Sequence, residues 1–187
     1  MNKDQKYITL YTTQSYEWFL KEFKKGLFEA NELFLDEDFK KGYEWLVTEM
    51  HRKGVKSLKE DREHKRFPIW CWYRLNGKED FKYIQEACAD YILKNKAVFL
   101  ELRIPIERIC FSLYCEWHCV LNDFPYFEND EEYDRYDLLS LKEKEEIKRK
   151  SWEKIIVDEK HKSKDIQATI FDFKLEEIVR LKFFQNK

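Results

Sequence analysis

Two hydrophobic periods alternate along the chain. At its start, YITLYTTQ (residues 7–14) sets Ile8, Leu10, Thr12 and Gln14 on one face and Tyr7, Thr9, Tyr11 and Thr13 on the other. A two-residue repeat of β-branched and aromatic side chains predicts a strand. Ser15 follows as an N-cap, with Glu17 in the first turn and Gly26 past the end, so a helix is expected to about Lys25. The period then becomes helical: Phe39, Tyr43, Leu46, Val47 and Met50 recur between Asp36, a candidate N-cap, and Gly54. FPIWCWYRL (67–75) predicts an aromatic strand with Pro68 near its start, where proline is tolerated. Phe81, Ile84, Cys88, Tyr91 and Ile92 mark an amphipathic helix over about 79–94. AVFLELRIP (97–105) reads as a strand with Val98, Leu100, Leu102 and Ile104 inward, Glu101 and Arg103 outward, and Pro105 at its end.

The second half continues the alternation. SLYCEWHCVLND (112–123) predicts two helical turns over about 113–121. Asp123 to Asp137 holds seven acids and one Arg and reads as a solvated loop. In SLKEKEEIKRKSWEKII (140–156), Ser140 and Glu143 form a capping box that opens a helix. DIQATIFDF (165–173) puts Ile166, Ala168 and Ile170 on one face and Gln167, Thr169 and Phe171 on the other, and IVRLKFF (178–184) is a last strand. With no internal repeat or linker, the expectation is an α+β fold in a single domain over residues 1–187. Its sheet would be mixed or antiparallel and flanked by amphipathic helices.

Composition narrows the function classes. Charged residues make up 39% of the 187 residues, yet the net charge is only −2, so global charge gives no argument for a polyanion or membrane surface as partner. No apolar run approaches the ~18 residues of a membrane span. The first residues lack the apolar stretch of a secretory signal. A cytoplasmic address without a membrane partner is expected, and five cysteines without paired spacing fit a reducing compartment. Four glycines in the whole chain exclude a P-loop, a dinucleotide-binding Gly fingerprint and a kinase-type Gly loop.

Candidate chemistry concentrates in residues 112–123. Cys115, His118 and Cys119 fall at i, i+3 and i+4 on one helical face. A zinc site needs a fourth ligand or a water, and the paired Cys-x-x-Cys spacing is missing, so no metal is assigned. The favoured reading packs Cys115 and Cys119 as small core residues with Trp117 half-buried. It leaves His118 and Asn122 as either site residues or a hydrogen-bonded clasp. A hydrolytic site pairing His118 with Glu116 or Asp123 is a further alternative. Two charged stretches are candidate contacts. From His51 to Phe67, seven Lys/Arg stand against three acids, a mobile basic connection suited to a nucleotide or nucleic acid through Arg52 to Arg66. The acidic run Asp123 to Asp137, with Asp130, Glu131 and Glu132, suits a basic protein partner.

Five pieces in fixed order, LYTTQS, GYEWLVTEM, PIWCW, LELRIP…FSLYCEWHCVLN and SWEKII…IQATI, resemble DUF3841, a bacterial family of unknown function. The similarity runs from Leu10 to about Phe184, and a Ser-Asp pair of that family stands here as Ser112 and Leu113. The resemblance implies Thr12, Gln14, Trp70, Trp72, Ser112, Trp117, His118, Asn122 and Gln167 as shared positions. The layout of LYTTQSYEWFLKEFKKGLF also looks like the opening of ADP-ribosyltransferases that modify DNA bases. That class binds nicotinamide adenine dinucleotide (NAD) without a Gly-rich loop. Its signature of His or Arg, then an aromatic or Ser, then Glu would place Thr12 first and Gln167 or Thr169 last. By that resemblance Thr12 and Gln14 hold the dinucleotide, Trp70 or Trp72 stacks a ring, and Gln167 contacts the ribose. Asn122 joins the binding residues, and Gln167 and His118 stand at the reacting centre. A neutral Gln hydrogen-bonds but takes no proton, which weighs against transfer chemistry. The alternative is a non-enzymatic interaction module accessory to another enzyme or toxin.

Overall fold

The structure is a computed structural model that describes residues 5–30, 37–59, 66–89 and 96–184. Its frame is a seven-stranded sheet in the order β6-β5-β7-β3-β1-β4-β9. The strands are β1 (Tyr7–Ser15), β3 (Ile69–Arg74), β4 (Ala97–Pro105), β5 (Cys110–Leu113), β6 (Ile156–Val157), β7 (Ile166–Ile170) and β9 (Ile178–Phe184). All six pairings are antiparallel. A two-stranded sheet joins β2 (Leu27–Glu29) to β8 (Asp172–Lys174).

The two-residue period decides what each face buries. Ile8, Leu10, Val98, Leu100, Leu102 and Ile104 point to one side, with Ile166, Ala168 and Ile170 from β7. Helix α1 (Tyr16–Phe23) and the small sheet close this side with Trp18, Phe19, Phe28 and Phe173. Phe28 and Phe173 stack at 4.5 Å, which locks β2 to β8. Ser15 caps α1 by accepting from the Trp18 amide at 3.1 Å. Gly26 sits at φ +73° beyond the helix end, a region that favours glycine.

On the opposite side, α2 (Lys40–Arg52) buries Trp45, Leu46, Val47 and Met50 against Cys110 and Phe171. Helix α4 (Tyr114–Leu121) adds Trp117 and Val120 to the same cluster, and Trp152 at the end of α6 (Leu141–Trp152) completes it. Helix α3 (Phe81–Ala87) covers Tyr11 and Phe99 through Ile84 and Phe81. Gly42 lets α2 approach α4 closely, since a Cβ there would meet the Val120 carbonyl oxygen at 3.1 Å. Helix α6 opens with the expected Ser140–Glu143 capping box.

The centre of the sheet is uneven. β1 registers with β4 over nine residue pairs, from Tyr7↔Pro105 to Ser15↔Ala97. With β3 it shares a single pair, Tyr11↔Trp72. Beyond that pair no register is formed, and the Thr12 hydroxyl donates to the Trp70 carbonyl at 2.6 Å.

Several expectations are corrected. CFSL, for which no strand is expected and whose Leu113 is expected to start a helix, is strand β5, whose four residues are all buried between β6 and β7. The acidic run is not wholly a loop. Asn129 caps α5 (Asp130–Asp137), with Asp130, Glu131 and Glu132 in the first turn, where the helix dipole favours carboxylates. The basic connection is anchored wherever it is described. The Leu58 amide and Arg66 both bond the buried Asp172 carboxylate, and Lys59 pairs with Glu29. Asp36, Tyr91 and Ile92 lie outside the described residues.

Candidate functional site

A cavity of 540 Å³ lies on the α2/α4 side of the sheet, over the short register between β1 and β3. That is within the ~300–1,000 Å³ of small-molecule sites. Its floor comes from neighbouring strands: Thr12 and Thr13 from β1, Trp70 and Trp72 from β3, and Gln167 from β7. The register explains the gathering of Trp72 and Gln167, because Tyr11 pairs with Trp72, Trp72 with Gln167, and Gln167 with Ser112, whereas Thr12 pairs with Leu100 and by alternation belongs to the Leu10 face. Residues directly opposite in an antiparallel ladder share a face, so this row presents its side chains together.

Two aromatic groups wall the cavity. Trp70 and Trp117 lie 4.9 Å apart at 46°, with Tyr43 of α2 edge-on to both at 5.9 and 6.0 Å. Across from them Trp72 meets Tyr114 at 4.6 Å, and Tyr114 meets His118 at 5.4 Å. Leu121 and, from the α3 region, Ala87 and Cys88 close the remaining sides.

Polar groups are few and their states differ. The Thr12 hydroxyl is fully engaged, donating to Trp70 and accepting from Gln14 Nε2 at 2.7 Å. The Gln167 side chain is 5% exposed and donates from Nε2 to Ser112 Oγ at 3.1 Å. Among the described residues, buried Thr13 Oγ1 and Trp70 Nε1 meet no partner in good hydrogen-bond geometry, though Cys88 neighbours the first and the Tyr43 hydroxyl the second. Burial pushes the Tyr43 phenol up, offset in part by the neighbouring Trp70 indole. Burial also drives Tyr11 to about 12, and the carboxylates Glu101, Asp80 and Glu79 add to the rise against Arg180. Cys71 is pushed by burial to about 12, which holds it as a thiol rather than a nucleophilic thiolate.

The structure gathers most of the residues singled out in the sequence. Thr12, Trp70, Trp72, His118 and Gln167 all line this one cavity. Gln14 stands one bond behind, fixing Thr12. Asn122 is exposed and donates to the His118 carbonyl at 2.7 Å, a helix C-cap rather than a cavity group. Thr169 is fully buried and donates to the Cys110 carbonyl at 3.4 Å, away from the lining. The expected packing within α4 is corrected: Cys115 is exposed and Cys119 half-buried, while Trp117 is 4% exposed. Trp117 takes the inward face because it stacks on Trp70, which turns Cys115 outward. Asp123 is held by Lys148 at 2.6 Å, which occupies the carboxylate considered as a partner of His118. Among the described residues no group of three or more His, Cys, Asp or Glu could hold a metal ion. Tyr43, Tyr114, Thr13 and Cys88 belong to the lining without having been singled out. Tyr43 and Cys88 did carry helical periodicity, which marks an inward face but not a cavity.

Among the described residues no helix is long and apolar enough to cross a membrane. No curated protein and no solved structure matches the chain. A family model does match, over residues 9–143, and that span contains every described lining residue of the cavity except Gln167. The match covers well over half of the chain, which therefore belongs to the family described as a domain of unknown function, DUF3841.

Proposed function

We propose that the cavity is an ADP-ribosyltransferase-like site that binds a nicotinamide adenine dinucleotide and lacks the carboxylate on which transfer depends. One observation carries this reading. Thr12 and Gln167, candidates for the first and last signature positions, and Trp70 and Trp72, candidates for stacking a ring, fall on the neighbouring strands β1, β3 and β7 and line one cavity. The scarcity of glycine supports it, since the ligand would be held by side chains on strands rather than by a phosphate loop. The lining suits a ring, which would stack on Trp70 or Trp72. No Lys or Arg is among the described lining residues, so the diphosphate lies outside the cavity. A bound dinucleotide would supply an ADP-ribose unit with nicotinamide as leaving group. This chain's part is to seat and orient it. Gln167 can hydrogen-bond a ribose hydroxyl but takes no proton, and no described lining residue is Asp or Glu. His118, at the rim, is the lining imidazole able to accept a proton.

The test is the melting temperature with millimolar NAD, for wild type and Gln167→Ala. Ligand at about 100 times its dissociation constant adds ~2.7 kcal/mol, a rise of several degrees for a chain of this size. The reading expects that rise in wild type and its loss in the variant. No rise contradicts it, and an equal rise in Gln167→Ala removes Gln167 from the site. A second reading, an interaction module, is favoured by Leu138 and Leu141, which are 88% and 87% exposed beside the acidic helix α5. It expects a partner captured by wild type and released when Asp130, Glu131 and Glu132 are neutralised.

A further inference from the structure

Fourteen described residues line the cavity, and none is Lys, Arg, Asp or Glu. Six are Tyr or Trp. An anion entering such a space loses its hydration and finds no Lys or Arg among the described lining residues to replace it. A neutral ring gains burial and stacking. A planar organic cation gains the same contacts and, in addition, the attraction of aromatic faces for positive charge.

The arrangement favours the cation. The ring planes cross rather than align: Tyr43 stands at 88° to Trp70 and 83° to Trp117, and Trp72 at 55° to Tyr114. Six such rings lining one space put several π-systems within reach of a buried cation. Gln167 commits its amide nitrogen to Ser112, and no described residue donates to its carbonyl oxygen, leaving a negative dipole end at the floor. Three carboxylates, Glu79, Asp80 and Glu101, act on the Tyr11 hydroxyl, although Glu79 is paired with Arg74 at 2.9 Å and Glu101 with Arg180 at 3.1 Å, and Glu116 acts on Cys119 of α4.

We infer that the cavity selects a planar organic cation, an N-alkylated nitrogen heterocycle, over its neutral counterpart, and excludes anionic groups. The inference rests on the reading of this cavity as a ligand site and adds a charge preference to it. For a dinucleotide it means that the oxidised, positively charged ring is the part that enters.

Isothermal titration calorimetry on the full chain tests this with three probes that share one ring: 1-methylnicotinamide (cationic), nicotinamide (neutral) and nicotinate (anionic). The cation is expected to bind at least tenfold more tightly than the neutral ring, with no measurable binding of the anion. Equal affinities, tighter binding of the neutral ring, or no binding of the cation overturns the inference. Glu116→Lys reverses a charge on α4 outside the lining and is expected to weaken the cation severalfold while changing nicotinamide less than twofold. Equal changes for both probes also overturn it. A parallel titration with NAD separates the two proposals. NAD binding without a cation preference removes the inference and keeps the nucleotide reading. A cation preference without NAD binding does the reverse.

Discussion

Replacing Asp172 by alanine would test how the described part of the basic connection is held. The Asp172 side chain is 1% exposed. Its carboxylate accepts from Arg108 at 3.1 Å, from Arg66 at 3.0 Å, and from the Leu58 amide at 3.1 and 3.0 Å. Arg108 is itself buried and keeps only Glu177 and the Asp172 backbone carbonyl once the carboxylate is gone. Breaking a buried ion pair by removing one partner costs about 3–5 kcal/mol, because the other charge remains desolvated. At ~2–4 °C per kcal/mol for a chain of this size, the melting temperature should fall by roughly 6–20 °C. Arg108→Met should partly rescue Asp172→Ala, so the double variant loses less than the sum of the two single losses. Scanning calorimetry of the three variants supplies the cycle. Limited proteolysis should show new cleavage near Lys56 and Lys59 in Asp172→Ala, since Leu58 loses its anchor. A fall below about 3 °C, or strict additivity in the cycle, would refute the argument that Asp172 organises this region.

Three further expectations follow from burial and charge. Brief alkylation near pH 8 should modify the exposed Cys115 first, although its thiol is also raised. Cys71 and Cys110, both pushed to about 12 by burial, should react only after unfolding, as read by peptide mass spectrometry. Four carboxyls are held below the ordinary value of 4.5: Glu159 by Lys6, Glu145 by Lys148, Glu143 by Ser140 and Glu132 by the Glu128 amide. A lowered folded pKa contributes stability above the unfolded value and loses it as pH falls, so melting temperature should be flat near neutrality and decline below about pH 4.5. Gly42→Val should destabilise by about 1–3 kcal/mol by forcing α2 from the Val120 carbonyl, whereas an unchanged melting temperature would deny that close approach.

Strands with clean alternation and a hard stop were legible to the residue. AVFLELRIP and IVRLKFF are β4 and β9 as read, because apolar residues repeat every second position and Pro105 ends the first. The short β5 was not, since four residues carry no measurable period and its flank, YCEWHCVL, is helical. Helix α5 was hidden by its charge. The Asn129 cap followed by three acids is a helix-start signal, but composition alone reads such a run as solvated coil. At the site, Thr12, Trp70, Trp72 and Gln167 were recognisable as polar or aromatic residues on predicted strands. The wall formed by Tyr43 and Tyr114 was not, because which helices cross the sheet, and where, depends on pairings distant in the chain. The short register between β1 and β3 is of the same kind: no local pattern in either strand announces that only Tyr11 and Trp72 pair.

The central claim is that a nucleotide ring enters the cavity between β1, β3 and β7. The six indole N–H resonances of the ¹⁵N-labelled protein, assigned by single Trp→Phe substitutions, test it most directly during a titration with NAD. Trp70, Trp72 and Trp117 line the cavity and should shift together with one dissociation constant, while Trp18, on the opposite side of the sheet, stays in place and Trp45 and Trp152, packed in the Trp117 cluster but outside the lining, shift less. Shifts confined to Trp18, Trp45 or Trp152, or no shift at saturating ligand, would contradict the account.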